Sequence, residues 1–266
     1  MSVQSPRFTR AIVRRPSESF AAGLTSGQYG PPDVQRALAQ HERYCDALRG
    51  CGLEVTHLEA APDYPDGTFV EDAAIVTPRG AVITRPGAES RRGEVDSAAA
   101  GLRRFFGHVQ QIAAPGTVDG GDVCEADGHY LIGLSQRTNE PGAEQLAAHL
   151  RHMHYAASIV DVRGSPGLLH LKSGIAYLGA GHWVVAQEVQ GAFRSWSALP
   201  VRELIVAEAA EGYAANCVLI NDAVLMAEGY PRLASLLRDK GYRPLHLDVS
   251  EFRKMDGGLS CLSLRF

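Results

Sequence analysis

The chain has 266 residues, 45% of them hydrophobic and 21% charged, with a formal net charge of −4 at pH 7, and its sequence pI is about 6.2. That balance supplies ample apolar material for a core and no basic field to gather phosphates, which argues against a nucleic-acid partner. No run approaches the roughly 20 apolar residues that span a bilayer, and the opening MSVQSPRFTRAIVRRP has neither a long apolar stretch nor a small-residue cleavage site. Neither a membrane nor a secretory leader is expected. Cys45, Cys51, Cys124, Cys217 and Cys261 form no C-x-x-C pair, and their odd number points to reduced thiols in a cytoplasmic chain.

In chain order, TRAIVRR (9–15) reads as a strand. A helix follows over 34–50, with Val34, Leu38, Tyr44 and Leu48 near one face and a stop at Gly50 and Gly52; VTHLEA (55–60) is the next apolar run. Four hairpins come next, at 73–86, 122–135, 175–187 and 217–229, each reversing through Gly, Asp, Asn or Pro. Behind the first, second and fourth lie helix-period segments at 95–106, 142–153 and 232–242, followed by HVQQIAAP, SIVDV and RPLHLDV. The third has only FRSWSALP (193–200) before RELIVAEA, a weaker helix. The chain closes on LSCLSLRF (259–266), a lone apolar strand carrying Cys261.

Pairing that last strand with the first gives five copies of strand–strand–helix–strand. Repeats that cannot bury their faces alone must pack together, and a ring closed through its terminal strands leaves no large edge exposed. The expected fold is α/β: a five-bladed α/β propeller of ββαβ units around a central channel, one catalytic domain over 1–266. A two-layer α+β sandwich is the alternative that the same elements permit.

Five connections lead from the third strand of one unit into the next hairpin, at 62–72, 115–122, 163–174, 210–217 and 250–261. In a ring they converge at one end of the channel, where rigidly held loops can carry chemistry. Four of them hold ionisable or reactive groups: Asp66, Glu71 and Asp72; Asp119 and Asp122; His170; Cys261. Each has a plainer explanation: a solvated acidic loop, a tight Asp-Gly-Gly-Asp turn, a core histidine, an inert buried thiol. Their joint placement favours a nucleophile–imidazole–acid set. Carboxylates beside the apolar Phe69 and Val70 suit a planar cation such as guanidinium.

FVED, ITRPGAESRRGE (83–94), DGGD, GLSQRTNEPGA (133–143), LLHLKSG, YAANC and DGGLSCLSLRF together resemble the guanidine-modifying superfamily, most closely the dimethylarginine dimethylaminohydrolases. The resemblance runs in order through essentially the whole chain. It implies the same five-bladed propeller. It also implies hydrolysis of Nω,Nω-dimethyl- or Nω-monomethylarginine to citrulline and dimethylamine or methylamine, with no cofactor and no metal. It assigns Cys261 as nucleophile, His170 as proton donor and Asp119, which is Glu in some members, as the acidic partner. Asp66, Glu71 and Asp72 would hold the guanidinium beside Phe69, and Arg91 and Arg137 the α-carboxylate. Leu24 would be a lid over the substrate, and Met255 would offer a backbone carbonyl to the amino group.

The rivals are an arginine deiminase releasing ammonia, whose members are generally longer by a helical insertion, and a non-catalytic propeller binding arginine-like ligands. A papain-like protease is disfavoured because its cysteine precedes its histidine. A homodimer is compatible with this reading, and nothing in the residues argues for it.

Overall fold

A computed structural model describes residues 7–165, 167–196 and 201–266. The first unit has β1 (Arg10–Arg14), α1 (Val34–Gly50) and β2 (Glu54–Leu58). Asp33 caps α1 by accepting from the Arg36 N–H, satisfying one of the free donors of its first turn. Its buried stripe is Ala37, His41, Tyr44, Cys45 and Leu48, while the expected Val34 and Leu38 are only partly buried. Tyr44 and Leu48 are buried as expected, and the face is set by where β2 and the later strand Pro244–Leu247 meet the helix.

The next three units are β3 (Ala74–Thr77), β4 (Gly80–Ile83), α2 (Val95–Leu102) and β5 (Val109–Gln111); β6 (Val123–Ala126), β7 (His129–Leu134), α3 (Glu140–His152) and β8 (Ala156–Asp161); and β9 (Ile175–Tyr177), β10 (His182–Ala186), α4 (Gln190–Ser195) and β11 (Glu203–Ala207). The weak third helix is therefore present as α4, starting three residues earlier than expected; residues 197–200 of that segment lie outside the described residues. Last come β12 (Val218–Ile220), β13 (Ala223–Ala227), α5 (Pro231–Asp239) and β14 (Pro244–Leu247), then the short α6 (Ser250–Arg253) and β15 (Leu264–Arg265).

Five three-stranded sheets result. In each, the first strand is antiparallel to the second and the second parallel to the third, as in β3–β4–β5 and β6–β7–β8. A parallel neighbour needs a crossover, and the helix supplies it. The fifth sheet is β15–β1–β2, with Ala11 opposite Arg265 and Ile12 opposite Leu264, so the two ends of the described chain close the ring. The core lies between blades: Ile75, Val82, Ile112, Val123, Ile132, Leu146 and Leu150, for example, form one buried cluster spanning two of them.

The first strands line a central channel. Residues of β3, β6, β9, β12 and β15 surround a cavity of about 390 Å³. Its mouth is ringed by the hairpin-turn residues Pro78, Asp127, Gly128 and Gly179, and its inner end is formed by Glu71, Gly120, Lys172 and Ser260.

Candidate active site

Every first strand is entered from a short 3-10 turn: Val70–Ala73, Gly120–Asp122, Leu171–Ser173, Ala209–Ala215 and Ser260–Leu262. These are the C-terminal ends of the five connections. Cys261 thus sits in a turn, not on a terminal strand as expected, and β15 is only two residues long. The Ser263 and Arg265 side chains, which bond back toward Ser260 and Tyr44, hold the chain end in that shape.

Asp119 and Asp122 are both fully buried. Asp119 accepts from the Gly87 N–H at 2.9 Å through one oxygen and lies 3.1 Å from His170 Nε2 through the other. The two glycines between them are required by close approach. A Cβ on Gly120 would fall 1.9 Å from the Glu71 carbonyl oxygen, and one on Gly121 would fall 2.8 Å from the His170 ring. Asp122 accepts from Ser135 Oγ at 2.6 Å, Thr138 Oγ1 at 2.7 Å and Leu171 N at 3.0 Å, tying the loop of Arg137 to the turn that carries His170.

Asp72 accepts from the Gly121 N–H at 2.8 Å and from Arg91 Nη1 at 2.7 Å. Arg91 is itself buried and gripped by Glu94, with Nη2–Oε1 at 2.5 Å and Nε–Oε2 at 3.2 Å. Burial alone would raise the Asp72 carboxyl; the Arg91 guanidinium holds it below the usual range. For His170, burial opposes the imidazolium, but Asp72, the Asp119 hydrogen bond and Asp122 outweigh it and raise the imidazole to about 9. It is a cation at neutral pH.

Glu71 faces other partners. Its Oε1 lies 2.6 Å from Lys172 Nζ and 3.1 Å from Arg265 Nη2, and its Oε2 accepts from Ser260 Oγ at 2.8 Å. The partly buried Cys261 thiol is pushed up to about 12 by burial and by the Glu71 and Asp72 anions. Cys45, Cys124 and Cys217 are also raised to about 12, so acidity does not single out Cys261; its neighbours do.

Leu24, Asp66 and Arg91, among the remaining expected residues, line a second cleft of about 160 Å³ together with Tyr64 and Glu94; Phe69, Arg137 and Met255 do not line it. Leu24 is 40% exposed, and its N–H donates to both Asp66 oxygens at 3.0 and 3.2 Å. Asp66 is 7% exposed and, among the described residues, has no ion-pair partner; burial raises its carboxyl, with Arg91 and Arg137 acting against that. Arg137 Nη1 is buried and has no hydrogen-bond partner among the described residues. Phe69 packs in a cluster with Phe20 and Phe252, and Met255 is buried. Neither cavity is lined by Cys261 or His170.

Asp72, Asp119 and His170 are the set among the described residues that could gather a metal ion, their ligand atoms lying within 4.8 Å of one another. Arg91 already supplies Asp72 with a cation, and Asp119 is taken by the imidazole. Four participants were not found from the residues: Glu94, Lys172, Asn216 and the anchoring role of Asp122. Glu94 had a readable signal, an acid three residues after an arginine in ESRRGE. The others had none, since their partners are distant in the chain.

The arginine deiminase family model matches residues 60–209. N(G),N(G)-dimethylarginine dimethylaminohydrolase from Pseudomonas aeruginosa is 43% identical over 262 residues, covering 97% of this chain and 100% of the relative. The enzyme of that name from Streptomyces coelicolor is 38% identical, covering 96% of each. A solved structure of the P. aeruginosa protein, a cysteine-to-serine mutant complexed with citrulline, superposes with a TM-score of 0.91 at 42% identity, covering 98% of this chain and 100% of that one. Five blades in the same order, the buried imidazole–carboxylate pair and near-complete coverage agree: this chain belongs to the dimethylarginine dimethylaminohydrolase family of hydrolytic enzymes.

Proposed function

We propose that the chain hydrolyses Nω,Nω-dimethyl-L-arginine, and Nω-monomethyl-L-arginine, to L-citrulline and dimethylamine or methylamine. Residues 1–266 act as a single catalytic unit, and the five free thiols suit a reducing compartment such as the cytoplasm. One observation carries the substrate class. Asp66 is a buried carboxylate with no ion-pair partner, and Arg137 Nη1 a buried guanidinium nitrogen with no acceptor, among the described residues. A ligand with a planar cation at one end and a carboxylate at the other satisfies both.

In this reading the substrate guanidinium docks against Asp66 and Asp72, with Glu71 adding negative charge behind and Phe69 against its plane. Arg137 and Arg91 receive the α-carboxylate, the Met255 carbonyl the amino group, and Leu24 covers the site. The arriving cation offsets the Glu71 and Asp72 anions that hold the thiol neutral, so Cys261 gives up its proton to solvent as substrate binds. The thiolate attacks the guanidinium carbon. His170, already an imidazolium, donates its proton to the departing amine as the C–N bond breaks, leaving an S-alkylthiouronium. Neutral His170 then deprotonates water, whose hydroxide adds to the same carbon; as the C–S bond breaks, the hydroxyl proton passes to the departing thiolate, and neutral citrulline leaves with the thiol and the imidazolium restored. Asp119 keeps the ring oriented and its cation stabilised throughout.

The test offers purified protein Nω,Nω-dimethyl-L-arginine and L-arginine in parallel, with citrulline, dimethylamine and ammonia measured. Citrulline and dimethylamine in equal amounts are expected, and Cys261→Ser or His170→Ala should nearly abolish them. Ammonia from arginine with no dimethylamine would make the enzyme a deiminase; substantial turnover by Cys261→Ser would remove the nucleophile assignment.

A further inference from the structure

The connection at 210–217 is the one that carries no titratable group of the site, yet it ends beside the nucleophile. Asn216, two residues before β12, is 9% exposed. Its Oδ1 accepts from the Ser260 N–H at 3.1 Å. Its Nδ2 donates to the Lys172 carbonyl at 2.7 Å and to Ser260 Oγ at 3.0 Å. Ser260 immediately precedes Cys261, and Lys172 follows His170 by two residues. Ser260 Oγ in turn donates to Glu71, and Glu71 pairs with Lys172. The four residues form a closed ring, Asn216–Ser260–Glu71–Lys172, its last link running from the Asn216 amide to the Lys172 main-chain carbonyl, and each residue comes from a different blade entrance.

The chemistry of the ring selects an amide. One small group must accept from a backbone N–H and donate to a backbone carbonyl at the same time; a hydroxyl reaches one of these, and a carboxylate cannot donate. The orientation is fixed too, since a flipped amide would set N–H against the Ser260 N–H. The chain folds tightly over it: a Cβ on Gly258 would lie 2.3 Å from Asn216 Oδ1. Cutting this amide leaves two backbone groups without their partner and frees the Cys261 turn to move against the His170 turn.

We infer that Asn216 is a positioning residue that fixes the Cys261 thiol relative to the His170 imidazole, acting through Ser260 and Lys172. The inference rests on the assignment of Cys261 as nucleophile. Misplacement by about 1 Å costs about 10²-fold in rate. Asn216→Ala should therefore lose about 100-fold in kcat on dimethylarginine with KM within about threefold of wild type. The pH profile of Cys261 alkylation by iodoacetamide should be displaced as well, because the thiol no longer keeps its place among the charges around it. Ser260→Ala opens the ring at a second point but keeps the Asn216–Lys172 bond, and should lose about tenfold in the same way.

The experiment measures kcat, KM, the alkylation profile and the melting temperature for both variants, with Cys261→Ser alongside. Asn216→Ala with kcat within threefold of wild type overturns the inference. So does a loss of kcat with an unmoved alkylation profile, which marks general loosening instead of a misplaced thiol. If Asn216→Ala does not fold, Ser260→Ala decides on the same two readouts. Turnover by Cys261→Ser would instead remove the nucleophile assignment, a failure separable from that of Asn216.

Discussion

Glu71 and Asp72 are consecutive in the chain and belong to two different regions. On the channel side, Glu71 meets two fixed cations, Lys172 and Arg265, and a hydroxyl, so one carboxylate is met by more positive charge than it carries. On the cleft side, Asp72, Asp66, Glu94 and Asp119 gather around Arg91 and His170, and Asp66 keeps no ion-pair partner among the described residues. In the first region the protein itself supplies the cations that Glu71 needs. The second holds anionic capacity that a cationic ligand can use. Two acids of similar burial thus differ in function through what faces them.

The sharpest way to break that contrast is Asp72→Asn. It removes the anion that pairs Arg91 and supports the imidazolium, so kcat/KM should fall about 10³-fold. The His170 imidazole should then fall from about 9 toward its ordinary range, followed by NMR titration. An unchanged His170 titration would show that Asp72 does not govern the imidazole.

Glu71→Gln acts on the other region. It leaves the partly buried Lys172 and Arg265 without their carboxylate and should destabilise the fold by about 2 kcal/mol in a denaturant titration. Because Glu71 is one of the anions raising the Cys261 thiol, alkylation of that thiol should move to lower pH. Unchanged stability would mean that the channel-side cluster is not a structural tie.

The imidazole gives the contrast a pH dependence. His170 is raised from an ordinary 6.5 to about 9 in the folded chain. Its contribution to stability is therefore complete below pH about 6.5 and is lost as pH rises through about 9, on the order of 2–3 kcal/mol. The melting temperature of the wild type should decline more steeply between these limits than that of His170→Gln. Parallel curves would assign the decline to other groups.

The smallest effect is expected in the channel wall. Cys124 and Cys217 line the larger cavity, are buried, and are as weakly acidic as Cys261. Replacing either with Ala should leave turnover within about threefold. A large loss would show that the channel wall and the catalytic face are coupled.

The ring of five units was legible because each repeat carries its own local signals, alternating strands, a turn and a helical stripe, that need no partner to be seen. Its failures were local as well. The apolar-rich LSCLSLRF predicts a strand through Cys261, whereas the anchoring of Arg265 and Ser263 folds its first part into a turn. In the Asp-Gly-Gly-Asp motif the sequence singles out Asp119 as a candidate acid, but not why two glycines follow it; they are required by a carbonyl and an imidazole arriving from other blades.

The sequence by itself determined the repeat count, the closure by terminal strands and the connections that carry the candidate groups, since these follow from periodicity and order along the chain. Only the tertiary structure decided which cation faces which carboxylate. His170 and Asp119 are 51 residues apart, Ser260 and Glu71 189, and Arg265 and Glu71 194. Charges pair by distance in space, and no local pattern encodes a distance that five packed blades jointly set.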